Sequence, residues 1–215
     1  MKPVICFITD RRRFGDAWES TMIDRVRTAA RAGVHLIQVR ERDLEGGPLA
    51  RLTERCVEAV HGTHARVVVN DRLDVALAAG AHGVHLRGDS MDASRARRLA
   101  PAGFLIGRSV HGVDEAVGTG ASGSVDYLIC GTVFQTTSKP GGAPAGLDQL
   151  AAVAAATTVP VLAIGGMSPR RAADVARTGA AGLAAIGLFS DCAVEALHDI
   201  VEQIVFAFDT LGRLP

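Results

Sequence analysis

Eight times along this chain a short β-branched or aliphatic run ends in polar residues or glycine, and a longer segment with helical spacing follows. The predicted strands are residues 4–9, 34–39, 66–69, 83–86, 104–107, 125–130, 160–164 and 182–187. The predicted helices cover about 18–32, 48–60, 72–79, 92–99, 112–118, 147–156, 169–178 and 190–210. They are rich in alanine, and their apolar residues recur at three and four, as in Met22, Val26, Ala29 and Ala30 or Ala172, Val175 and Ala176. Boundary residues agree with this division. Asp92 stands three residues before Arg95 as a helix cap, Ser168 precedes a first-turn Pro169, and Gly33, Gly80 and Gly179 each close a helix before the next strand. Eight such units in 215 residues, with no interdomain linker, predict one domain over 1–215 folded as a single eightfold β/α (TIM) barrel. A doubly wound open sheet is the alternative, because the same local pattern would serve it.

Composition narrows the partners. Lys plus Arg and Asp plus Glu are both 23, so no broad basic face for nucleic acid or an anionic membrane is expected. No stretch approaches 18 uninterrupted apolar residues, and the amino-terminal segment has no signal-peptide pattern. Cys6, Cys56, Cys130 and Cys192 are far apart and form no CxxC pair, so they read as free thiols of a reducing compartment, and a cytoplasmic location is expected.

In either α/β architecture the ligand end is the carboxyl end of the strands. Those ends carry Asp10 and Arg11; Gln38, Arg40 and Arg42; Asn70 and Asp71; Arg87, Asp89 and Ser90; Arg108, Ser109 and His111; Thr132, Gln135, Thr136, Ser138 and Lys139; Gly165 and Gly166; and Gly187. The opposite ends carry mostly glycine, alanine and proline, an asymmetry expected of an enzyme or a small-ligand receptor. Arg40, Arg42, Lys139 and Arg108 beside Asp71 and Asp89 suit a phosphorylated ligand, its charge shared between cationic side chains and Mg²⁺ held by carboxylate. Gln38 and Arg40 are two apart, so both can face the barrel interior. The glycines at 165, 166 and 187 leave backbone N–H groups accessible for a second anion. Plainer roles exist for each: Asn70, Asp71, Asp89 and Ser90 are ordinary turn and cap residues, and His85, inside an apolar strand, reads as a hydrogen-bonded core histidine. No zinc spacing, nucleophile elbow, P-loop or strand-linked GxGxxG occurs.

Seven blocks in order, ITDRR, IQVRERD, VNDRLDVALAAGAHGVHL, IGRSVHGVDEA, GTVFQTTSKPGG, AIGGMSP and GAAGLAAIG, run from residue 8 to about 187. Together they resemble the superfamily of thiamine phosphate synthase and the thiazole tautomerase TenI. For the synthase, the resemblance implies capture of a hydroxymethylpyrimidine, released from its diphosphate, by the nitrogen of a thiazole phosphate. It places Gln38 at the pyrimidine, Arg40 and Asn70 at the diphosphate, and Asp71 on Mg²⁺. It sets Ser109 and Lys139 on the departing pyrophosphate, Thr136 and Ser138 near the thiazole, and the backbone of Gly166, Ile186 and Gly187 on the thiazole phosphate. A homodimer is also implied. Three departures stand out: Arg42 replaces a usual lysine, Ser90 a second acidic Mg²⁺ ligand for which Asp89 could substitute, and Gly187 a common serine. RERD, GRSVH and GGMSP lean toward the tautomerase, whose histidine aligns with Thr132, leaving His111 as the candidate acid/base. A non-catalytic sensor of phosphorylated ligands is the third alternative.

Overall fold

The computed structural model describes residues 2–136 and 143–211. Eight parallel strands are formed: β1 (Val4–Ile8), β2 (Leu36–Val39), β3 (Arg66–Asn70), β4 (Gly83–Leu86), β5 (Leu105–Val110), β6 (Tyr127–Gly131), β7 (Val161–Ile164) and β8 (Gly182–Ala185). Each pairs with its sequence neighbour and β8 pairs back with β1, so the sheet closes into a barrel and the open-sheet alternative is ruled out. The helices are α1 (Trp18–Ala32), α2 (Gly46–Ala59), α3 (Leu73–Ala78), α4 (Ala93–Leu99), α5 (Val113–Ala121), α6 (Gly146–Ala155), α7 (Pro169–Arg177), α8 (Gly187–Ser190) and α9 (Leu197–Leu211). The final helical stretch differs from expectation. The α-helix expected over about 190–210 starts only at Leu197, and the separate turn α8 begins at Gly187, within the expected last strand, so a helical turn opens immediately at the mouth after β8.

Strand parity sorts the side chains into two shells. Cys6, Ile8, Leu36, Val68, Tyr127, Ile129, Leu162 and Ala184 fill the barrel interior, while alternate residues such as Phe7, Ile37, Val69 and Leu128 pack outward under the helices. Gly107 is required by this filling, since a β-carbon there would lie 2.1 Å from Cζ of Tyr127. The left-handed φ values of Gly33, Gly80 and Gly179, +103°, +63° and +82°, end helices where only glycine is unstrained. Asp92 caps α4 by accepting from the Arg95 N–H at 3.1 Å. All four cysteines are free, and burial pushes the Cys6 and Cys56 thiols up to about 12, which makes them inert packing groups. Among the described residues no helix is long and apolar enough to cross a membrane.

Candidate active site

The carboxyl ends of the strands surround a cavity of about 1090 Å³. Gln38, Arg40, Arg42, Asn70, Asp89, Ser109, His111, Thr132, Thr136, Gly166, Ile186 and Gly187 all line it, although they come from seven different strand ends. Asp71 sits at the rim behind Arg87 and Ser90. Ser138 and Lys139 lie outside the described residues.

On the β2 to β5 side the site is made of side chains. Gln38 is buried and its Nε2 donates to Oδ1 of Asn70 at 3.0 Å, while its buried Oε1 has no partner among the described residues. A buried acceptor left open toward a cavity is an acceptor for a ligand N–H. Arg40 is half-buried, and burial, with Arg42 close by, pulls it below the ordinary guanidinium value. It stays charged, so the cavity wall carries a fixed cation that is only partly hydrated. Its position is fixed through Glu41: the Arg40 N–H donates to Oγ1 of Thr9 at 3.0 Å, and Thr9 donates to Oε1 of Glu41. The other Glu41 oxygen accepts from the Arg11 N–H at 3.0 Å, which ties the ends of β1 and β2 together. The RERD stretch is therefore half structural and half solvated, with Glu41 buried and Arg42 and Asp43 exposed.

Strand β5 runs on to Val110, longer than expected, and this carries Ser109 inside the barrel rather than into a loop. His85 on β4 lies 2.9 Å from Oγ of Ser109 through Nε2 and 3.3 Å from the Tyr127 hydroxyl through Nδ1. Burial depresses the His85 imidazole to about 3, so it is neutral and has one N–H for its two hydroxyl neighbours. One hydroxyl must then donate to the ring and the other accept from it. Arg108, expected at the ligand, instead turns outward and donates to the carbonyls of Gly88 (2.8 Å) and Met91 (3.0 Å), pinning the loop after β4. In that loop the Ser90 hydroxyl accepts from the Arg87 N–H at 2.9 Å and donates to Asp71.

The β7 to β8 side is built from backbone. Gly166 has φ +62°, and a β-carbon on it would lie 2.5 Å from the Gln135 carbonyl oxygen and 2.9 Å from Cβ of Phe134, so the chain can come this close only as glycine. Gly187 opens α8; the Phe189 and Ser190 N–H groups donate to the Ile186 carbonyl at 3.1 and 3.0 Å, which leaves those of Gly187 and Leu188 without an acceptor in the turn. A β-carbon at Gly187 would lie 2.7 Å from Oδ2 of Asp191, which is held by Nη1 of Arg13 at 2.6 Å. This pair fills the space a side chain at 187 would take, which accounts for glycine there. Arg13 and Asp191, 178 residues apart, were not legible in the sequence. His111 lines the cavity with Nδ1 2.9 Å from the Gly131 carbonyl, which can only accept, so in the neutral ring Nε2 is the acceptor.

The thiamine monophosphate synthase family model matches residues 5–189. The chain belongs to the thiamine monophosphate synthase family. It is 37% identical over 206 residues to a thiamine-phosphate synthase of Roseiflexus castenholzii, covering 93% of this chain and 89% of the relative. It is 42% identical over 167 residues to the thiamine-phosphate synthase of Methanoculleus marisnigri, covering 77% and 79%. The solved thiamine phosphate pyrophosphorylase from Pyrococcus furiosus superposes with a TM-score of 0.81 at 29% identity, covering 97% of this chain and 96% of that one. The family match spans the strand ends that build the mouth, from β1 to α8.

Proposed function

We propose that this member of the thiamine monophosphate synthase family is a transferase that joins hydroxymethylpyrimidine diphosphate to thiazole phosphate, giving thiamine phosphate and pyrophosphate. The observation that carries the reading is the meeting of Gln38, Arg40, Asn70 and Ser109, from three strand ends, around one cavity whose opposite wall is backbone. In the reaction the bond between the pyrimidine methylene and the diphosphate oxygen breaks, and its electron pair leaves with the diphosphate. The thiazole nitrogen then supplies the pair for the new C–N bond. No protein nucleophile is needed. What the chain must supply is a cationic bed for the leaving group and a water-poor pocket for the nascent cation.

The roles follow from the chemistry of each group. Gln38 Oε1 accepts from the amino group of the pyrimidine, and Arg40, with Arg42 and Asn70, binds the diphosphate. With Tyr127 donating to His85 and His85 donating to Ser109, the Ser109 proton is directed to a diphosphate oxygen. Thr136 lies between the two substrates, and for Ser138 and Lys139, outside the described residues, the family resemblance supports a thiazole contact and a positive charge for the leaving group. The backbone of Gly166, Ile186 and Gly187 receives the thiazole phosphate. Asp71 and Asp89 are the carboxylates that would hold Mg²⁺, an ion that needs few protein ligands when phosphate oxygens and water complete its shell. When bound, the ion would neutralise charge on the leaving diphosphate. The four free cysteines fit a cytoplasmic location.

The test is to incubate purified protein with both phosphorylated precursors, with and without Mg²⁺, and to follow thiamine phosphate and pyrophosphate. Coupled product formation lost in Lys139→Ala supports the synthase. His111, with Nε2 available on the cavity wall, supports a second reading as a thiazole tautomerase. Conversion of the thiazole carboxylate tautomer with no coupling would establish that activity instead, and binding with neither conversion would make the chain a sensor.

A further inference from the structure

The loop after β4 brings a cation to a place where the site needs one. Arg87 lies between two carboxylates: its Nη1 is 3.6 Å from Oδ2 of Asp71, and its Nη2 donates to Oδ2 of Asp89. The second oxygen of Asp71 accepts from Ser90, so both oxygens of that carboxylate are engaged in the free protein. Neither partner is there by chance of a long side chain. The loop is held from below by Arg108, and Asp71 is fixed in the left-handed region at φ +65°, its N–H donating to the His85 carbonyl at 2.8 Å. Arg87, Gly88 and Asp89 all line the cavity.

Magnitude decides what this arrangement does. The side chains of Asp71, Arg87 and Asp89 are 31%, 40% and 71% exposed, so each ion pair is weak and exchangeable. The charge balance is nevertheless large on the scale of an arriving diphosphate. With Arg87 the three groups sum to one negative charge; without it the incoming anion would face two bare carboxylates. We propose that Arg87 is the resident cation of the Asp71–Asp89 pair, and that it makes diphosphate binding at this mouth only weakly dependent on Mg²⁺. Ser90 belongs to the same arrangement: its hydroxyl donates to Asp71 and brings no further negative charge for Arg87 to balance. The proposal rests on the diphosphate reading of the mouth.

The experiment is calorimetric titration with inorganic pyrophosphate, in EDTA and in Mg²⁺, of the intact protein and of Arg87→Ala, Arg87→Gln and Arg87→Lys. The first two variants both remove the charge, so either reports if the other folds poorly by thermal melt. The ratio of Kd in EDTA to Kd in Mg²⁺ is expected to be within about threefold for the unchanged protein and for Arg87→Lys, and to exceed about thirtyfold when the charge is removed. Mn²⁺ alone, followed by its electron paramagnetic resonance signal, is expected to bind the charge-removed variants about tenfold more tightly, because the carboxylates lose their rival cation. Equal metal dependence with and without Arg87, or unchanged Mn²⁺ affinity, would overturn the proposal and leave the diphosphate reading standing. No pyrophosphate binding by any form, with or without metal, would remove the diphosphate reading and this inference with it.

Discussion

The two walls of the mouth handle an anion in different ways. From β2 to β5 the wall is made of side chains, Gln38, Arg40, Asn70, Arg87 and Ser109, with Gln38 bonded to Asn70, Ser109 to His85, and the Arg40 backbone to Thr9. From β7 to β8 it is glycine backbone, with Gly165 and Gly166 both at positive φ and the chain packed too closely for a β-carbon. A side-chain wall can be tuned by substitution without disturbing the barrel, because its groups project from the strand ends into the mouth. A backbone wall presents main-chain groups, so a substitution there acts mainly through the room its side chain needs.

The largest effect expected is on the side-chain wall. Arg40→Ala is expected to lower kcat/KM by about 10²–10³-fold, the scale of a preorganised charge-stabilising donor, with the thermal midpoint nearly unchanged. Steady-state kinetics alongside a thermal melt checks this, and a large drop in the melt would erase the contrast between the walls. Gly166→Ala is expected to damage folding and binding together. It places a β-carbon at φ +62° and 2.5 Å from a carbonyl oxygen, at a cost of about 1–3 kcal/mol. Denaturant midpoints and the KM for thiazole phosphate measure the two halves of that effect.

A pH experiment sharpens the role of His85, which braces the side-chain wall from within. An unfolded-state imidazole takes up a proton near 6.5, whereas the buried ring stays neutral down to about 3. The unfolded chain therefore binds more protons across that interval, and stability is lost as pH falls from about 6.5 toward 3. Urea midpoints at neutral and acid pH should show a shallower decline in His85→Gln than in the unchanged protein; parallel declines would mean that other groups dominate. The smallest effect is expected at the rim of the backbone wall. Asp191→Ala removes the partly exposed pair with Arg13 and should change stability by less than about 1 kcal/mol. A larger fall in the melt would show that this wall, too, leans on a side-chain contact.

Much of the site was legible because strand ends are legible. Once eight runs are read as strands, the residues that follow them must crowd one mouth; Gln38 and Arg40 line it with the expected parity, and Asn70 and Ser109 line it too. Arg108 was misjudged because a cation next to a strand end can point either way, and here it bonds loop carbonyls. The end of the last strand was misread for a similar reason: the apolar run 182–187 continues past Ala185, while in the barrel a helical turn begins at Gly187 and the long helix only at Leu197. Glu41 looked like one charge among four in RERD, and only its bonds to Thr9 and Arg11 set it apart.

The sequence by itself determined the number and order of the strand-helix units and which end of each strand is polar, since propensity, periodicity and capping act over a few residues at a time. Tertiary structure alone decided the pairing of β8 with β1, the His85–Ser109–Tyr127 contact, the Arg13–Asp191 pair and the seat of Arg87 between two carboxylates. Those contacts depend on strand register and on where long side chains come to rest after the barrel closes, and no local pattern in the chain encodes either.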